Sequence, residues 1–144
     1  MTRIFLVLAA VLLLLRPAAA ETLPPGVTST DKAQIEGVIG RQLEAFRHDD
    51  AAGAYRFAAP GIQRMFPSAD TFLDMVRRGY PPVYRARNTE FSELALRDGE
   101  LVQEVEIVGP DGKPVVAVYS MVRDGHGGWL INGCTLLPSV RLST

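Results

Sequence analysis

The chain has 144 residues, with 15 basic and 16 acidic side chains, a formal net charge of −1, 47% hydrophobic content and a single cysteine. That length fits one domain with a workable core. The charge balance excludes an electrostatic case for nucleic acid or anionic lipid as partner, and one cysteine excludes an intramolecular disulfide.

Arg3, the apolar run Ile4 to Leu15, and Ala18-Ala19-Ala20 ahead of Glu21 predict a cleavable signal peptide over residues 1–20, cut after Ala20. The run is shorter than the roughly 20 residues that span hydrocarbon, and Pro17 ends any helix there. A lipoprotein needs a cysteine at the cut, but the cysteine is Cys134. The expected product is exported, periplasmic or secreted, and has no membrane contact after cleavage. Cleavage also removes Arg3 and Arg16, which leaves the mature chain more acidic.

Residues 21–30, with Pro24-Pro25-Gly26, read as a flexible leader, and residues 31–144 as a single domain. Asp31 is expected to cap a helix whose stripe is Ile35, Val38, Ile39, Leu43 and Phe46. Gln42 falls inside that stripe and should point inward, either satisfied by a backbone group or placed at the bottom of a pocket. Asp49-Asp50 reads as the cap of a second helix, Ala51 to Phe57, ending before Pro60-Gly61. A third runs from Ser68 to Arg77-Arg78-Gly79.

After Pro81-Pro82 the period changes to two, which predicts strands at Val83 to Leu96, Leu101 to Val108, Val115 to Arg123 and Trp129 to Leu136. Asp98-Gly99, Asp111-Gly112 and Asp124-Gly125 supply hairpin chemistry between them. Three helices followed by an antiparallel meander is an α+β order. The third strand is apolar on both faces, Val115, Ala117, Tyr119 and Met121 on one and Val116, Val118 and Val122 on the other. Its outer face therefore predicts a homodimer.

FRHDDAAGAYRFAAPGIQRMF, MVRRGYPPVYRAR, QEVEIV and GWLINGC resemble an uncharacterised bacterial domain-of-unknown-function family of exported proteins, over about Asp31 to Leu137. The resemblance implies the cone-shaped nuclear-transport-factor-like, or cystatin-like, fold, with three helices and a curved four-stranded antiparallel sheet around a pocket. Relatives in that superfamily include ketosteroid isomerases, polyketide cyclases, dehydratases, transport adaptors and noncatalytic binders, so the fold selects no chemistry.

An isomerase-like site would take Glu104 or Glu106 as base with Tyr119 opposite. A solvated strand face is the commoner explanation of the alternating glutamates. Cys134 in an apolar strand reads as a structural thiol. His48 and His126 lack metal-ligand spacing, and no metal or cofactor is expected. The densest cluster runs from Arg77 to Arg87, where arginine and tyrosine flank a proline turn. It reads either as an anion site or as the joint between helices and sheet. The leading expectation is a noncatalytic domain that binds a small ligand, with anions among the candidates, or a protein partner in its cone. Gln42, Arg77, Tyr80, Tyr84 and Arg85 are the candidate binding residues. The alternatives are the strand-carboxylate enzyme and a purely structural interaction module.

Overall fold

A computed structural model describes residues 22–140. The signal-peptide expectation lies outside them. Helix α1 spans Ser29–Arg47, α2 Ala51–Tyr55, α3 Pro60–Met65, α4 Ala69–Gly79 and α5 Pro81–Tyr84. Strands β1 Asn88–Arg97, β2 Glu100–Val108, β3 Pro114–Arg123 and β4 Trp129–Pro138 form one antiparallel sheet in the order β1-β2-β3-β4. The fold is α+β with a four-stranded meander, and five helices stand where three were expected. No helix among the described residues is long and apolar enough to cross a membrane.

The extra helices are α3 and α5, and both begin with proline at the first helical positions. Proline's fixed φ suits the first turn, where its missing N–H would have had no partner. Pro60 and Pro81 therefore start helices instead of only ending what precedes them. One consequence is that β1 begins at Asn88, not at Val83, because residues 81–84 are taken by α5.

Helix α1 also begins earlier than expected. Thr28 is its cap, and Asp31 is the third helical residue, whose carboxylate accepts from the Thr28 backbone and hydroxyl at 2.9 Å each. This is a reciprocal capping box. Leu23 and Val27, inside the stretch read as leader, pack against the core. Asp98 and Gly99 both have positive φ, as a two-residue hairpin turn of this hand requires.

Ile35, Val38, Ile39, Leu43 and Phe46 of α1 are buried as one stripe. They meet the sheet face that carries Leu101, Val105, Ile107, Ala117, Tyr119, Met121 and Ile131. The opposite face carries Val102, Glu104, Glu106, Val116, Val118 and Val122. Val102 is buried without joining the main core cluster.

Candidate functional site

Between the helical layer and strands β3 and β4 lies a cavity of about 360 Å³. Its walls are mostly apolar, among them Phe46, Phe66, Phe72, Met75, Val76 and Ile131. Phe72 on α4 gathers Phe46, Tyr55 and Phe66 at centroid distances of 5.6–6.0 Å, so one side of the cavity is an aromatic wall. Tyr55 donates to the carbonyls of Gln63 and Phe66, which fixes α3 beside α2. The first residues of β4 hold the segment ahead of α3, through Ala59 N to Ile131 O and Ile131 N to Phe57 O, each 2.8 Å.

Polar groups enter this space from several elements. Gln42 does point inward from α1; it is 3% exposed and its Nε2 donates to Ala54 O at 3.2 Å. Tyr80 lines the cavity and donates to Cys134 O at 3.1 Å. Asn132 and Thr135, both exposed, border the cavity along β4, and the register of Thr135 with Val118 turns its side chain to the other sheet face. No charged residue lines the cavity among the described residues.

Tyr119 differs from the other polar groups. It is 1% exposed and lines the cavity, and the group beside its hydroxyl is the Cys134 thiol, a weak partner, with no nitrogen or oxygen in hydrogen-bonding position among the described residues. Leaving a buried polar group unpaired costs about 1–3 kcal/mol. Burial pushes the phenol well above its ordinary pKa, so it remains a proton donor at any physiological pH. Its neighbour across the β3–β4 pair is Cys134, whose thiol burial pushes up to about 12. A thiol so placed is not a nucleophile at neutral pH.

On its other side Tyr119 is paired with Gln103, which is wholly buried. The Gln103 Nε2 donates to the carbonyls of Ser92, Glu93 and Glu104 at the irregularity between Phe91 and Leu94, while its Oε1 has no partner among the described residues. Leu94, Gln103, Tyr119 and Cys134 thus form one inward row across the sheet. Strand alternation puts Gln103 and Tyr119 each on one face of its strand, but which face turns inward and what lies beside their oxygens carry no sequence signal.

Of the five candidate binding residues, Gln42 and Tyr80 line the cavity, whereas Arg77, Tyr84 and Arg85 do not. Arg77 pairs with Asp74 on the surface of α4. Tyr84 donates to Asp49, and Arg85 reaches Asp49 at 2.8 Å and the Phe46 carbonyl. With Arg47 Nε donating to Ala86 O at 2.8 Å, these contacts bolt α5 to the end of α1. The Tyr84 and Arg85 hydrogen bonds hold the Asp49 carboxyl below its ordinary pKa. In this structure the turn joins layers, because the donors of Tyr80, Tyr84 and Arg85 already have partners on β4 and at the end of α1.

Glu104 and Glu106 lie on the sheet face away from the cavity, and Glu104 is paired with Arg97 at 2.5 Å. No group of acidic, histidine or cysteine side chains that could hold a metal ion occurs among the described residues.

Residues 28–144 match the family model described as a domain of unknown function, DUF4864. No curated protein and no solved structure matches the chain.

Proposed function

We propose a function for a chain that belongs to the DUF4864 family, whose description assigns no activity: a noncatalytic, exported domain that binds a small, largely apolar, uncharged molecule in the cavity between helices and sheet. The observation that carries this reading is the open, mostly apolar space itself, with Tyr119 on its wall and only the weakly bonding Cys134 thiol beside the buried Tyr119 hydroxyl. A ligand oxygen that accepts from it relieves the desolvation cost of the empty state. The apolar walls supply the rest of the affinity. Gln42 and Tyr80 are the further contacts, with Asn132 at the rim.

Lack of charged lining residues favours a neutral ligand over an anion here, since a buried charge needs a partner. The same lining counts against the enzyme reading, which needs a carboxylate in the cavity. An interaction module whose cone is filled by its own side chains is disfavoured by the open volume. Helices enclosing a cavity against a sheet with two register irregularities, which bend strands, support the cone-shaped nuclear-transport-factor-like reading. The apolar outer face of β3 supports a homodimer.

Benzophenone and diphenylmethane differ by one carbonyl oxygen, and calorimetric titration with both tests the reading. Both should bind the wild type, with the ketone tighter by up to about tenfold. Tyr119→Phe should remove that preference and raise the stability of the empty protein by about 1 kcal/mol. If neither compound binds, or if Tyr119→Phe destabilises the fold without changing the preference, the reading is wrong.

A further inference from the structure

Arginines account for most of the positive charge of this chain, and many of them have carboxylate partners. Arg47 pairs with Glu44, Arg77 and Arg78 with Asp74, Arg85 with Asp49, Arg97 with Glu104 and Arg123 with Asp31. Arg41 and Arg56 have neither an ion pair nor a hydrogen bond from their side chains among the described residues. They come from different elements, Arg41 from the middle of α1 and Arg56 from the end of α2. Yet both guanidiniums lie over the same ring, Phe57, at 5.6 and 4.8 Å from its centroid.

Those two arginines and Phe57 line a groove of about 660 Å³ outside the helix–sheet cavity, continued by Val38, Trp129 and Leu130. A guanidinium drawn to the face of a ring at these distances makes that contact without spending an N–H donor. Each arginine therefore keeps its five N–H donors for another partner. Two cations near one ring also repel each other; Glu44 and Asp50, on a second groove that both arginines border, are already engaged by Arg47 and by Gly53 N, so an added anion lowers the repulsion further. The acidic side chain on the first groove is Asp124, but its carboxylate already accepts from His126 N at 2.6 Å and Gly128 N at 2.9 Å, which ties it to its own turn.

We infer that Arg41, Arg56 and Phe57 form an oxyanion site, which takes the carboxylate or phosphate of a small ligand whose apolar part lies along Val38 and Leu130. The site is separate from the cavity and does not depend on its occupancy. Two guanidinium forks bind an oxyanion bidentately, a geometry that lysine does not reproduce.

Nitrogen-detected NMR of the arginine side chains in the full domain, titrated separately with benzoate and inorganic phosphate, tests the site. The Nε–H signals of Arg41 and Arg56 should move together along one saturable curve with a Kd of about 1 mM or tighter. Arg64, another exposed arginine, should not follow. Arg41→Gln and Arg56→Gln should each weaken binding by about tenfold or more, and Arg56→Lys nearly as much, with chemical shifts elsewhere showing an intact fold. Tighter benzoate would identify a carboxylate ligand, and tighter phosphate a phosphate ligand. Shifts that never saturate, that appear equally at Arg64, or that survive both glutamine variants would overturn the inference.

Discussion

Asp31 accepts hydrogen bonds from Thr28 at the start of α1, and from Arg123 Nη1 at 3.2 Å and Trp129 Nε1 at 3.1 Å, where β3 ends and β4 begins. The Thr28 bonds, helped by Arg123 and Trp129, hold its carboxyl well below the ordinary range. Asp49 and Asp124 are shifted the same way, Asp49 by Tyr84 and Arg85 and Asp124 by the backbone of His126 and Gly128. Carboxylates with depressed values contribute stability that is present above their unfolded pKa of about 3.9 and is lost as the pH falls through the folded values. Urea midpoints measured from pH 7 downward should therefore be flat to about pH 5 and fall below about pH 4, and Asp31→Asn should flatten part of that fall. At this scale, the inward direction of Gln42 was legible from helical period alone. The partners of Tyr84 and Arg85 were not, because Asp49 lies 35 and 36 residues away along the chain.

Helices α3 and α5 show how one residue type carries two signals. Proline ends a preceding helix and also starts the next, and composition alone does not say which effect governs at Pro60 or Pro81. Packing decides it at α5, whose Val83 is buried and whose flanking Arg85 reaches the end of α1. The same helix sets a close approach to the β2–β3 turn. A Cβ added at Gly109 would sit 2.8 Å from the Pro82 Cα, which is backbone and cannot rotate away. Gly109→Ala should cost about 1–3 kcal/mol by chemical denaturation. Gly99, where the added Cβ meets nothing, should not show this clash, although its positive φ of 80° strains any side chain. The four strands and their turns were legible because period-two alternation and Asp-Gly pairs are local; the start of β1 was not, because α5 claimed its first residues.

At the scale of the molecule, the sheet has one face under the helices and one carrying Val102, Val116, Val118 and Val122 beside the Glu104–Arg97 pair. If that second face joins two copies, Val118→Lys should convert a dimer mass to a monomer mass by light scattering, while the stability of the separate domain changes by only about 0.5 kcal/mol. A monomeric wild type at micromolar concentration would remove the dimer proposal. The sequence by itself determined the α+β order, the meander and the two faces of β3, since each follows from a repeat of two or 3.6 residues or from turn chemistry within a few positions; which face carries Tyr119 inward, and that Glu104 lies on the other one, came from the packing. Only the tertiary structure decided which polar groups were free to act. Whether Tyr84, Arg85, Arg41, Arg56 or the Tyr119 hydroxyl has a partner depends on residues brought together from distant parts of the chain, and periodicity within one element does not encode those distances.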